Sequence, residues 1–175
     1  MDIKALIDDK SISPKDKNMQ IATAILDGRI TSATLLAFAQ KAKAPVKATC
    51  IEAMEFATQT NPAITGAEVL DFVLANLQDK APRVKWECGK VVANTIHLHP
   101  NHLEKAINNV LINTTDAGTV VRWSAATAFA RILAMKTPHN ETLVPALQNV
   151  MNNEEKNSIK KIYAAAFKKL GVSGR

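Results

Sequence analysis

Apolar residues recur along this chain at three- and four-residue intervals and are interrupted, at regular distances, by breaks marked with Pro or Gly. That spacing puts apolar side chains on one helix face, and no segment alternates with the period of two that a strand requires. Ser13-Pro14 supplies a helix start, with Ser as N-cap and Pro at the first helical position. Met19, Ala22, Ile25 and Leu26 follow at helical spacing until Gly28, and Thr31 opens a second helix with Leu35, Leu36 and Ala39 inside. Pro45 begins a helix carrying Val46, Cys50, Ala53, Met54 and Ala57; after Asn61-Pro62, Thr65 opens a partner with Val69, Leu70, Val73, Leu74 and Leu77. The arrangement returns from Pro82 with Val84, Cys88, Val91, Val92 and Thr95, a break at His99-Pro100, then Leu103, Ala106, Ile107, Val110 and Leu111. It returns again with Val121, Ala125, Ala128, Phe129 and Ile132, a break at Thr137-Pro138, then Leu143, Val144, Leu147, Val150 and Met151. A last helix carries Ile159, Ile162, Tyr163, Ala166, Phe167 and Leu170, closed by Gly171. Before all of these, Ile3, Leu6 and Ile7 suit a short capping turn.

The elements repeat in detail as well as in kind. Val84-Lys85-Trp86-Glu87-Cys88 is matched by Val121-Arg122-Trp123-Ser124-Ala125, with further copies at Val46-Lys47-Ala48-Thr49-Cys50 and Ile159-Lys160-Lys161-Ile162-Tyr163. The anchors 46, 84, 121 and 159 are spaced by 38, 37 and 38 residues. A fixed period of this length is the mark of a repeat architecture, in which each unit buries its apolar face only by stacking on its neighbours. We expect one domain over residues 1–175: an irregular pair at 14–41, repeats at 42–79, 80–116 and 117–154, and a capping helix at 155–171.

A helix, a Pro-marked break, a second helix and a polar turn resemble the HEAT and armadillo class. The resemblance rests on Asp79, Asp116 and Glu154, each five positions ahead of Val84-Lys85, Val121-Arg122 and Ile159-Lys160. It implies an all-α fold, a right-handed α-α superhelix of stacked helical hairpins with about four pairs plus a terminal helix. In it, turn acids and anchor-adjacent bases form a ladder from repeat to repeat, with Lys85 paired to Asp79 or Asp116. Lys41 occupies the acid slot before Val46, so the ladder is expected to break there. The class also implies that second helices line a concave face. On that face Glu68, Asp71 and Gln78 are followed by Lys105, Asn108 and Thr115, then by Asn149 and Asn152. This mixed, amide-rich surface suits an unknown protein or peptide partner better than phosphate, where Lys and Arg dominate.

Charge adds an alternative. The formal net charge is +6, yet residues 1–155 hold 16 basic and 16 acidic residues, so the excess lies in the last helix and tail. Lys160, Lys161, Lys168 and Lys169, with Lys85, Trp86, Arg122 and Trp123, make nucleic-acid backbone binding the second reading. Trp86 and Trp123 are expected as neighbours on the outer row of helices, where they either cover the joint between stacked helices or form an exposed patch with cation–π contacts to Lys85 and Arg122. Glycosylases built from HEAT-like repeats combine Trp and basic residues with an essential Asp; the positions four after each Trp are here Lys90 and Thr127. Cys50 and Cys88 occupy equivalent slots filled by Ala125 in the next repeat, which points to small core positions rather than a disulfide. His97 and His99 suit a helix C-terminus and His102 an exposed first turn, rather than a metal site. No Gly-rich phosphate loop, nucleophile elbow or HExxH occurs, so the expectation is a non-catalytic scaffold without cofactor or metal. No signal peptide or membrane-length apolar run is present, and a cytoplasmic location is expected.

Overall fold

The computed structural model describes residues 1–172. Among them are ten α-helices and no strand: α1 (Ile3–Asp8), α2 (Pro14–Leu26), α3 (Ser32–Lys41), α4 (Ala44–Thr60), α5 (Ala67–Asn76), α6 (Pro82–Thr95), α7 (Leu103–Asn113), α8 (Thr119–Ala134), α9 (Asn140–Asn153) and α10 (Asn157–Leu170). No helix of these residues is long and apolar enough to cross a membrane. Local chemistry sets the ends. The Ser13 and Thr31 hydroxyls accept the N–H groups of Asp16 and Thr34, Pro opens α2 and α6, and Gly171 adopts the left-handed conformation that closes α10.

Helices α2, α4, α6, α8 and α10 pack side by side in that order, while α3, α5, α7 and α9 each lie against the helix that follows. Tight pairing thus joins the second helix of one sequence unit to the first helix of the next. Both cysteines are fully buried and free, in an apolar interior that pushes the Cys50 thiol up to about 12 and Cys88 well above its ordinary value.

Two core assignments need correction, and several more residues are only partly covered. Met19 is 45% exposed, and Asn18 takes the covered position beside it because its Nδ2 donates to Glu52 Oε2 at 2.6 Å. Val46 is only half-buried, as are Leu26, Val144, Val150, Met151, Ile162 and Leu170, whereas Val84 and Val121, at the same third position of their helices, are fully covered. Leu111 is 37% exposed near the end of α7, on the side where α9 does not close over it.

The ladder forms, and its offset is resolved. Lys47 reaches Asp79 at 3.0 Å, Lys85 reaches Asp116 at 2.7 Å, and Arg122 reaches Glu154 at 2.8 Å. Lys41, in the slot before Val46, makes no such pair among the described residues. Each acid also accepts a backbone N–H at the start of the following helix: Ala81, Gly118 and Lys156 respectively. One carboxylate thus fixes the turn that leads into a helix and clamps the preceding base. Partial burial opposes ionisation of Asp79 and Asp116, but these donors outweigh it; at Glu154 the Arg122 guanidinium is the largest influence. All three carboxyls lie below their usual range. Replacing Lys85 with Met is expected to cost about 1 kcal/mol in urea denaturation at pH 7, with the difference shrinking on acidification below the ordinary carboxylate range, as Asp116 is protonated.

Candidate interaction cleft

A cleft of about 500 Å³ crosses α4, α6 and α8 on their solvent side, with no residue of α5, α7 or α9 in its wall. Helical spacing places its lining. Glu55 and Gln59 come from α4, Lys90 and Asn94 from α6, and Trp123, Thr127 and Arg131 from successive turns of α8.

The floor is a charged cluster in an almost dry setting. Glu55 and Glu87 are each 1% exposed, and both hold the Lys90 ammonium, at 2.9 and 3.1 Å. Gln59 Nε2 donates to Glu55 Oε1 at 2.6 Å, and Lys90 Nζ lies 5.8 Å from the centre of the Phe56 ring. Burial pushes the Glu87 carboxyl up to about 7; Lys90 opposes the rise, and the charges of Glu52 and Glu55 add to it. Burial opposes the Lys90 charge, but the two glutamates outweigh it and raise its pKa. Alongside, Glu52 is held by Arg83 at 2.5 Å and by Asn18.

The rim is different in character. Trp123 is 39% exposed, whereas Trp86 is half-buried and does not line the cleft. Arg131 is exposed and makes no ion pair among the described residues, unlike Lys90. Of the two arrangements open to the tryptophans, the cation–π row does not form among the described residues. Lys85 and Arg122 are drawn into the ladder by Asp116 and Glu154, and the one cation–π contact among the described residues is Lys90 on Phe56.

The residues expected on the second helices are all exposed. Asp71 binds Lys105 at 2.7 Å, which with His102 holds its carboxyl below the usual range, and Gln78 donates to the Asn109 carbonyl at 2.9 Å. Thr115 and Asn149 face a second cleft of about 410 Å³ beside Arg122 and Glu154. Glu68, Asn108 and Asn152 are exposed. His102 is half-buried rather than exposed, because it packs on Asp71 at 3.5 Å and edge-on to His99 at 5.9 Å. Burial and then the His102 charge lower the His99 pKa. Among the described residues no three His, Cys, Asp or Glu side chains converge as a metal site would require. Lys161, Lys168 and Lys169 are exposed on α10, Lys160 is half-buried, and none of the four makes an ion pair among the described residues.

The sequence did carry a signal for the cleft. Glu55 and Glu87 are acids at mid-helix positions flanked by core residues, where an apolar or small side chain is the norm. What was not legible is that Lys90, on a different turn, reaches both. Comparison with protein-family models, with curated proteins and with solved structures finds no match for this chain.

Proposed function

We propose that the chain is a HEAT-like superhelical interaction module, without catalysis of its own, that holds a protein or peptide segment in the cleft across α4, α6 and α8. In a curved double row of helices, the row inside the curve packs more closely. Here α2, α4, α6, α8 and α10 pack in an unbroken series, whereas packing among the other helices is sparser and is not sustained between α7 and α9. On this reading the first helices line the concave side, in place of the second helices that the sequence resemblance implied.

The observation that carries the proposal is the lining itself: an exposed indole, a guanidinium and amide groups, on three successive helices, around a cleft large enough for several side chains. Aromatic and Arg anchors of this kind dominate binding energy at protein interfaces. Peptides selected from a random display library on the immobilised protein test it. Trp123→Ala is expected to weaken the selected peptides by about tenfold or more, while Lys105→Ala, on α7, leaves them unchanged. The reverse pattern would place the binding face on the second helices.

A second reading rests on the unpaired lysines of α10, which suit a phosphate backbone. Replacing Lys160, Lys161, Lys168 and Lys169 with Gln would then abolish salt-dependent retention on DNA. Absence of retention at low salt in the unmodified protein would end that reading.

A further inference from the structure

The geometry points to an acidic partner: a peptide segment that sets an apolar or aromatic side chain on Trp123 and a carboxylate on Arg131, and continues over α10 towards its lysines. This rests on the cleft being the binding face and adds the chemistry of what occupies it.

Of the two cations in the cleft wall, Lys90 is already held by Glu55 and Glu87, and both acids are almost fully covered. They offer little to a ligand. What remains accessible is the exposed guanidinium of Arg131, two turns along α8 from the exposed indole of Trp123. An anion beside an apolar group is what that pair accepts, and a planar guanidinium binds a carboxylate through two parallel hydrogen bonds.

The repeat extends the surface in one direction. Trp123 stands two positions past its anchor Val121 and Arg131 ten past; the equivalent positions after Ile159 are Lys161 and Lys169. Because α10 packs directly on α8, the same face changes from indole and guanidinium to exposed lysines. Towards α4 the cations Arg83 and Lys90 are already held by Glu52 and Glu55. The exposed cations of this face that carry no ion pair among the described residues, Arg131, Lys161 and Lys169, therefore lie on α8 and α10. A nucleic acid, with a charge at every nucleotide, would find the α4 end already neutralised. A peptide can place its acids selectively.

Fluorescence anisotropy with three labelled peptides tests this: a Glu-rich segment containing Phe, the same segment with Gln for Glu, and the same with Lys for Glu. The Glu form is expected to bind about tenfold or more tightly than the Gln form, with the Lys form weaker still. Arg131→Glu should remove the preference, Arg131→Gln should reduce it, and circular dichroism should stay unchanged in both variants. Equal binding of the Glu and Gln forms, still weakened by Trp123→Ala, would overturn the acidic partner and leave the cleft as the binding face. No peptide binding, or binding indifferent to Trp123→Ala, would overturn both. Tighter binding of a single-stranded oligonucleotide, indifferent to Trp123→Ala, would overturn the proposal in favour of the phosphate backbone.

Discussion

Replacing Lys90 with Met should destabilise the fold by about 3–5 kcal/mol, because it leaves Glu55 and Glu87 without the ammonium they share. The effect should depend on pH in a way that identifies its cause. Glu87 has its carboxyl raised from 4.5 to about 7, so the folded state holds a proton that the unfolded chain has released throughout that window. Stability then falls as pH rises from about 4.5 through 7, by at most about 1.4 kcal/mol per pH unit, and levels off above. The ladder acids have the opposite sign. Their lowered values contribute stability above the ordinary carboxylate range, and that contribution is lost on acidification. The two trends leave maximum stability at mildly acidic pH. Glu87→Gln is expected to abolish the decline between pH 5 and 8, and Lys90→Met to steepen it. Urea denaturation at four pH values in that range measures both, and a Glu87→Gln profile parallel to the unmodified protein would refute the assignment.

Gly89→Val should cost about 3 kcal/mol, although a mid-helix Gly is ordinarily a weak point that a side chain improves. A Cβ at Gly89 would lie 2.6 Å from Ser124 Oγ and 3.0 Å from Ser124 Cβ, closer than carbon atoms approach. Gly89 and Ser124 are both almost fully buried where α6 crosses α8, and the Ser124 hydroxyl is tied back to the Val121 carbonyl at 2.8 Å. Rotation of the hydroxyl alone cannot clear the space. Thermal denaturation of Gly89→Val, Gly89→Ala and Gly89→Ala/Ser124→Gly checks the mechanism. The double variant should recover most of the stability that Gly89→Ala loses, since it removes the atoms in the way. Equal losses in both would point to the backbone of α6 instead.

How much of this was legible in the sequence follows from what each feature depends on. Helix positions depend on local periodicity and on Pro, Gly, Ser and Thr at the ends, so α2 to α10 lie close to where the apolar pattern places them. Buried cysteines followed from their equivalence to Ala125, and the ladder from acids and bases at fixed offsets. Met19 lies outside the core that the apolar pattern gives it because the hydrogen bond of Asn18 to Glu52, on a helix far along the chain, outweighs the transfer preference of a thioether. The cleft was harder for the same reason. Trp123, Lys90 and Glu55 belong to three repeats, and which turns face one another depends on how the helices rotate in the stack. A periodicity of 37 or 38 residues gives neighbours but not rotation.

The ladder has a further consequence for how the molecule comes apart. Its three rungs tie α4 to the turn before α6, α6 to the turn before α8, and α8 to the turn before α10. No rung precedes them, because Lys41 stands where an acid would be needed. Helices here touch only near neighbours in the chain, so the energy of opening is set locally. The molecule therefore has a clamped end and an unclamped one: opening α1 to α3 would break no rung, but would lose their apolar packing on α4 and the Asn18–Glu52 hydrogen bond.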